Sequence, residues 1–228
     1  MRGIILEGIS GSGKTTLLRA LTARWTGTRR GPLWIATEHL TERVLEPLAT
    51  ASPASALSHL DSHLHHLERL AAWDADAPRG SGTETVFVLE RFHLSVGAHI
   101  SGLAAHDWAP LEERLLGFGA ILVWCRLPLD SIVDRAVRRT RAERQPAWTC
   151  WLTSLGKNEA EQTDHFRREQ EQVAELVRRS RLPVIEFTFS ETSFCSDLEM
   201  AVTAIERFLE NSIPLHSSST DIPSLETL

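Results

Sequence analysis

Several features are scarce in this chain of 228 residues, and each scarcity excludes a class of protein. No long apolar run is present; the cleanest runs, such as GAILVWC at 119–125, are far too short to span a bilayer. We therefore expect no membrane partner. The three cysteines, at 125, 150 and 195, are too few and too widely spaced for a disulfide framework or a metal knuckle. They indicate reduced thiols and a cytoplasmic location.

Positive charge is also in short supply. Lys and Arg total 24 against 30 Asp and Glu, so the net charge is −6. This balance excludes a protein whose whole surface binds a nucleic acid polymer, although it allows a local basic groove. Only two lysines occur, Lys14 and Lys157, and the other basic residues are arginines. The chain starts directly with a strand-like segment, which predicts that no signal peptide precedes it.

The apolar residues alternate between short continuous runs and stretches with the helical period. The predicted strands are 4–6, 33–37, 85–89, 120–126 and 184–189. The predicted helices are 14–24, 41–48, 53–73, 91–104, 109–117, 130–144, 159–181 and 198–210. This alternation predicts an α/β fold of three layers, with a five-stranded parallel sheet between two layers of helices. We expect one domain over residues 1–211 and a flexible Ser- and Pro-rich tail over 212–228.

A glycine-rich segment follows the first predicted strand. GISGSGKT at 8–15 fits the phosphate-loop pattern G-x-x-x-x-G-K-[ST]. Its glycines let several backbone N–H groups point at a polyphosphate, and the next helix adds its positive N-terminal end. Lys14 is expected to reach the β- and γ-phosphates of ATP, and the Thr15 hydroxyl to bind Mg²⁺. The alternative is a simple turn before a helix. The predicted nucleotide-binding residues are Gly8, Ser10, Gly11, Ser12, Gly13, Lys14, Thr15 and Thr16.

Carboxylates follow two more predicted strands. Glu38 ends the second strand and Glu90-Arg91 ends the third, at the edge where open α/β sheets bind ligands. Glu90 could hold Mg²⁺ through water, and Arg91 could bind a phosphate oxygen of the donor or the acceptor. Glu38 could take the proton of an acceptor hydroxyl, or orient a monophosphate acceptor. The alternatives are a residue beside a helix N-cap for Glu38 and a structural ion pair for Glu90 and Arg91.

A basic helix is predicted beyond the fourth strand. Arg135, Arg139 and Arg141 are spaced i, i+4 and i+6, so the first two share a helix face. Phosphoryl transfer needs a positive clamp, because charge spreads over the equatorial oxygens of the moving group. A helical lid over about 135–157 that carries these arginines would also exclude water. The alternative is a basic helix exposed to solvent.

At four places the sequence resembles the thymidylate kinase and deoxynucleoside kinase group of phosphate-loop kinases. These are EGISGSGKTT at 7–16, Glu38 in WIATEH, Glu90-Arg91-Phe92 in VFVLERF, and the basic helix at 134–141. The resemblance implies ATP- and Mg²⁺-dependent phosphoryl transfer to a nucleoside or nucleoside monophosphate, and a homodimer. It implies catalytic roles for Lys14, Glu38, Arg91, Arg135, Arg139 and Arg141, and metal contacts for Thr15 and Glu90.

The sequence departs from that group where the group reads the base. His39 follows Glu38 in place of Pro, and His99-Ile100 stands in place of a Tyr-Gln pair; the chain has no tyrosine at all. Two other functions therefore stay open. One is a kinase for a non-nucleotide small molecule, such as an antibiotic or a vitamin precursor. The other is a regulatory protein that binds ATP without catalysis.

Two further groups of residues have no assigned role. His59, His63 and His66 share one face of a predicted helix, which suits either a metal site or a plain polar face. Trp148 and Trp151 flank Cys150 just past the basic helix, where they could stack on a base or pack the lid.

Overall fold

The structure is a computed structural model that describes residues 1–27, 31–41, 52–76, 84–100, 102–103, 106–143, 146–190 and 192–211. Five strands form one parallel sheet in the order β2-β3-β1-β4-β5. The prediction of a five-stranded parallel sheet is therefore confirmed. The strands are β1 (Arg2–Glu7), β2 (Leu33–Ala36), β3 (Val86–Glu90), β4 (Ala120–Arg126) and β5 (Val184–Thr188).

Helices cover both faces of this sheet. They are α1 (Lys14–Gly27), α2 (Glu38–Thr41), α3 (Pro53–Asp76), α4 (His93–His99), α5 (Ala109–Gly117), α6 (Arg139–Glu143), α7 (Pro146–Leu155), α8 (Glu159–Arg179) and α9 (Phe194–Asn211). None of the helices described is long and apolar enough to cross a membrane. The predicted helix over 41–48 and the predicted tail over 212–228 lie almost wholly outside the described residues.

The strands have continuous apolar runs because both sheet faces are buried. In β1, Ile4 and Leu6 point to the layer of α1 and α9, while Ile5 points to the layer of α3, α4, α5 and α8. All three side chains are at most 2% exposed. Successive strand residues alternate between faces, so a single run of three apolar residues contributes to two cores. This arrangement is the predicted three-layer α/β/α architecture.

The basic helix predicted over 130–144 is broken into three pieces. A 3-10 turn at Leu129–Ser131 leads into a π-helical turn at Val133–Arg138, and only then does α6 begin. A π-helical turn rotates the following side chains around the helix axis relative to a regular α-helix. Such turns are frequent at functional sites. The next helix, α7, falls within the range predicted for a helical lid, about 135–157. A third, smaller core beneath this segment includes Ile9, Leu152 and Phe166.

The strand order determines where the site lies. From β1 the chain proceeds to β2 and β3 on one side, then crosses to β4 and β5 on the other. The loop after β1 therefore sits at the switch point of the sheet, where ligands of open α/β sheets bind beyond the carboxyl ends of the strands.

Candidate active site

The phosphate loop depends on glycines that no other residue could replace. Gly8 and Gly11 have φ angles of +141° and +78°, which side chains disfavour. A Cβ on Gly8 would lie 2.2 Å from the Cys125 carbonyl oxygen, and one on Gly11 would lie 2.6 Å from the Arg135 carbonyl oxygen. The loop is thus fitted tightly between β4 and the basic segment.

Lys14 begins α1 and lies directly under this loop. Its Nζ donates to the carbonyl oxygens of Gly8 at 2.6 Å and Ile9 at 2.9 Å. Burial and the nearby Arg91 guanidinium lower the pKa of Lys14, whereas the Glu38 carboxylate opposes this shift. An anionic phosphate in the loop would restore the preference for the charged amine.

Thr15 and Glu90 provide oxygen ligands suited to Mg²⁺. The Thr15 hydroxyl donates to Glu90 Oε1 at 3.0 Å, and Glu90 is 2% exposed. Among the described residues no group of three or more His, Cys, Asp or Glu could hold a metal by itself. Mg²⁺ at phosphate sites takes one or two protein oxygens and completes its shell with phosphate and water. The pair therefore fits the ion.

Arg91 stands at a sharp turn after β3. Its φ is +53°, the only positive value for a non-glycine residue in the described chain, and its N–H donates to the Leu6 carbonyl at 2.9 Å. The guanidinium Nη2 lies 2.8 Å from Glu169 Oε1, and Nη1 lies 3.5 Å from the Gly8 carbonyl oxygen. Arg91 and Glu169 are both buried. Strained conformations of this kind persist where the surroundings enforce them, and they cluster at functional sites.

The Glu7 carboxylate accepts hydrogen bonds from the residues that follow this turn. Its Oε1 accepts the N–H groups of Phe92 and Leu94, both at 3.1 Å, and its Oε2 accepts the Ser95 hydroxyl. These groups open α4, so a fully buried carboxylate on β1 satisfies the unpaired donors of that helix end. Glu7 thereby fixes the position of the backbone that follows Arg91.

The predicted lid arginines have different surroundings. Arg135 is buried, and its Nη1 donates to the Phe189 carbonyl at 2.7 Å. Arg139 lines the cavity and pairs with Glu143, with 3.5 Å between Nε and Oε1. Arg141 is outside the cavity lining: its Nη2 donates to Gln162 Oε1 at 2.7 Å. A catalytic role for Arg141 stays a prediction, as does the movement of this segment as a lid.

A cavity of about 610 Å³ brings most of the predicted site residues together. Gly8, Ser12 and Glu90 are buried and are not among the lining residues. The predicted residues that line the cavity are Ser10, Gly11, Gly13, Lys14, Thr15, Thr16, Glu38, Arg91, Arg135 and Arg139. The cavity also has walls that no site prediction included. Those residues are Val96, His99 and Ile100 of α4, Thr140 and Glu143 of α6, Ser154 and Leu155 of α7, His165 and Glu169 of α8, and Phe194 of α9. Trp148 and Trp151, for which the sequence offers stacking on a base or packing of the lid, also line the cavity.

Glu169 had a recognisable signal in the sequence. It lies on the same stripe of α8 as Phe166 and Val173, both of which are buried. A carboxylate on the apolar stripe of an amphipathic helix requires a partner, because an unpaired buried charge is costly. Its partner, Arg91, is 78 residues away in the chain.

The histidine face of α3 supports α2. His59 and His63 have Nε2 atoms 2.8 Å and 3.4 Å from the Leu40 carbonyl oxygen, and the His66 ring lies against Trp34. Burial, together with nearby His59, lowers the pKa of His63. These contacts hold the short helix that begins with Glu38.

Comparison with known proteins shows the fold. No family model matches the sequence, and no curated protein matches it. Among solved structures, the YorR protein from Bacillus subtilis, in complex with phosphorylated GDP, has 14% identity and a TM-score of 0.53, covering 90% of this chain and 98% of that one. Shikimate kinase from Bacteroides thetaiotaomicron has 18% identity and a TM-score of 0.53, covering 92% and 98%. The chain therefore has the fold of phosphate-loop kinases such as shikimate kinase.

Proposed function

We propose that this protein transfers the γ-phosphoryl group of ATP, with Mg²⁺, to the hydroxyl or monophosphate of a small molecule, most readily a nucleoside or nucleoside monophosphate. One observation carries this proposal: the phosphate loop, with Thr15 bonded to the buried Glu90, and two arginines of the basic segment line one cavity. The loop and Lys14 bind the triphosphate, while Arg135 and Arg139 face the charge that develops on transfer. Mg²⁺ bound beside Thr15 and Glu90 would neutralise charge between the β- and γ-phosphates.

The acceptor lies on the side of Glu38 and Arg91 in this proposal. For a hydroxyl acceptor, Glu38 takes the proton as its oxygen attacks phosphorus. For a monophosphate acceptor, Glu38 orients the substrate and Arg91 contacts a phosphate oxygen. The partner is a small molecule in a cytoplasmic setting, without a nucleic acid polymer or a membrane, and the protein acts as a homodimer.

The test is ADP release that depends on an added acceptor, measured with ATP and Mg²⁺ over nucleosides, nucleoside monophosphates and small hydroxylated metabolites. The Lys14→Ala variant should lower kcat by about 10²–10³-fold, because it removes one preorganised donor to the transferring group.

The chain supplies its own control, since its one other lysine, Lys157, is exposed outside the cavity lining. Lys157→Ala should keep the activity of the unmodified protein. Full phosphoryl transfer by Lys14→Ala would refute the proposal. ATP binding without release of ADP for any acceptor would favour the regulatory alternative.

A further inference from the structure

We infer that the acceptor is an uncharged hydroxylated molecule with a flat apolar part, and not a monophosphate or carboxylate. The inference rests on the proposed function, since it concerns the acceptor end of the same cavity. Four observations support it: the division of the cavity by strand order, the charge pairing around Arg91, the imidazoles beside Glu169, and the apolar walls.

Strand order divides the cavity into two sides. Residues that follow β2 and β3 lie on one side of the phosphate loop, where α8 packs against α4, and the basic segment after β4 and the residues after β5 lie on the other. Glu38 and Arg91 belong to the first side. Arg135 belongs to the other side. It donates a hydrogen bond to the carbonyl oxygen of Phe189, which follows β5, and its guanidinium carbon lies 5.9 Å from the centre of the Phe194 ring. The donor and acceptor therefore have separate protein environments.

The cations are distributed unevenly between these sides. Lys14 lies in the phosphate loop, and Arg135 and Arg139 lie in the basic segment after β4. Among the described lining residues, the acceptor side has one permanent cation, Arg91, which already faces the buried carboxylate of Glu169 at 2.8 Å. An anionic acceptor would have to share Arg91 with that carboxylate, and its charge would be repelled by Glu169.

Two imidazoles, those of His99 and His165, lie beside Glu169 on the acceptor side. His99 Nε2 lies 3.6 Å from Glu169 Oε1, so this imidazole borders the Arg91–Glu169 pair. Burial lowers the pKa of His165, an effect that His99 and Arg168 reinforce and Glu169 opposes. Imidazole nitrogens and an arginine–carboxylate pair suit hydroxyl groups, because each offers directed hydrogen bonds.

The remaining walls of the cavity include apolar and aromatic side chains. Val96 and Ile100 of α4 line the acceptor side, and Trp148, Trp151 and Leu155 of α7, which packs against α8, line the same cavity. The two indole rings meet edge to face with their centroids 5.4 Å apart. Flat apolar groups pack well against such rings. The cavity volume of about 610 Å³ leaves space for one small acceptor beside a nucleotide.

In the reaction so constrained, the acceptor hydroxyl oxygen forms a bond to the γ-phosphorus. The bond between that phosphorus and the β,γ-bridging oxygen breaks, and ADP leaves with the electron pair. The hydroxyl proton passes to the Glu38 carboxylate. This step requires the hydroxyl acceptor that the charge pattern favours.

The experiment compares matched pairs of acceptors that differ by one anionic group. Each deoxynucleoside is paired with its 5′-monophosphate, and 1,4-benzenedimethanol is paired with 4-(hydroxymethyl)benzoate. We expect kcat/KM at least tenfold higher for the uncharged member. Preference for the anionic member would overturn the inference, as would the absence of phosphorylation of every uncharged member. Activity confined to the benzyl pair, with the uncharged member ahead, would support the inference and refute the nucleoside part of the proposed function.

A variant tests the role of Glu169 directly. Glu169→Gln keeps the shape and a carbonyl oxygen for Arg91 but removes the negative charge. The ratio of kcat/KM for anionic over uncharged acceptors should rise at least tenfold, whereas simple loss of structure would lower both values together. Glu171→Gln, two residues away and exposed on the same helix, is the matched control and should leave the ratio unchanged. An unchanged ratio in Glu169→Gln would contradict the inference.

Discussion

Single residues matter most where the backbone leaves no room for a side chain. Gly11 combines a φ of +78° with a close approach to the Arg135 carbonyl, so the phosphate loop and the basic segment constrain each other. A residue in such a conformation costs on the order of 1–3 kcal/mol even where space permits. Here the space is absent as well.

We therefore expect Gly11→Ala to lower the free energy of unfolding by about 1–3 kcal/mol and to weaken ATP binding. Denaturant unfolding and calorimetric titration with ATP would measure the two effects. Gly27→Ala is the control, because a Cβ there meets nothing within 4 Å. Equal stability and ATP affinity in the two variants would show that the loop relaxes away from Arg135.

A second residue-scale prediction concerns Glu112, which is 2% exposed. Burial alone would raise its pKa, but hydrogen bonds from His93, the Ser180 hydroxyl and the Arg181 N–H outweigh burial and lower it. A carboxyl with a lowered pKa in the folded state stabilises the protein above its unfolded pKa, near 4.5. That stabilisation is lost as the pH falls through the lower, folded-state value.

The Glu112→Gln variant should lose about 1–3 kcal/mol of stability at pH 7, because buried bonds to a charged group are removed. Its deficit relative to the unmodified protein should shrink as the pH falls below 4.5. Urea unfolding at several pH values checks this. Glu113→Gln should change stability by less than about 1 kcal/mol, since Glu113 forms an exposed pair with Arg181. If the stability deficit of Glu112→Gln does not change with pH, the negative charge of Glu112 is not the source of the stabilisation.

At the scale of elements, the broken helix after β4 decides which arginines face the cavity. The π-helical turn at Val133–Arg138 precedes α6. Arg139 lines the cavity beyond this turn, whereas Arg141 bonds Gln162 of α8. A regular helix over the whole segment, as the sequence predicts, would point the side chains of Arg139 and Arg141 in different directions around the helix axis.

Arg139→Ala should lower kcat by about 10²-fold, because the residue faces the charge that develops on transfer. Arg141→Ala should change kcat less than fivefold in this arrangement. Steady-state ADP release measures both. A large loss in Arg141→Ala would instead indicate that the segment moves and brings Arg141 to the substrate, as the predicted lid requires.

At the scale of the whole molecule, ligand binding is linked to folding. ATP with Mg²⁺ contacts residues after β1 and β3 and the segment after β4 in the proposed function, so it binds the assembled sheet and not the unfolded chain. ATP at one hundred times its dissociation constant should stabilise the protein by about 2.7 kcal/mol.

Thermal unfolding would reveal this as a rise in Tm. Removal of Mg²⁺ with EDTA should abolish ADP release and reduce the rise, because Thr15 and Glu90 then lose the ion between them and the phosphates. The Lys14→Ala variant should show a smaller rise than Lys157→Ala. An equal rise in these two variants would place ATP elsewhere.

The sequence by itself determined the elements whose signals are contiguous. The five apolar runs predict the sheet because strands buried on both faces need uninterrupted apolar residues. GISGSGKT predicts the loop because its glycines and Lys14 act through backbone geometry only a few residues long. Glu38 and Arg91 were found for a similar reason: each follows a strand, and all parallel strands end at one edge.

Only the tertiary structure decided which distant residues meet. Glu169 pairs with Arg91, which is 78 residues away in the chain. Glu7 of β1 accepts hydrogen bonds from backbone N–H groups at the start of α4. The sequence leaves Trp148 and Trp151 of α7 between stacking on a base and packing the lid, and the fold places both in the wall of the cavity. Such contacts depend on the packing of whole elements and on the phase set by a π-helical turn, and neither has a local sequence signal. The charge balance at the acceptor end is likewise a consequence of folding.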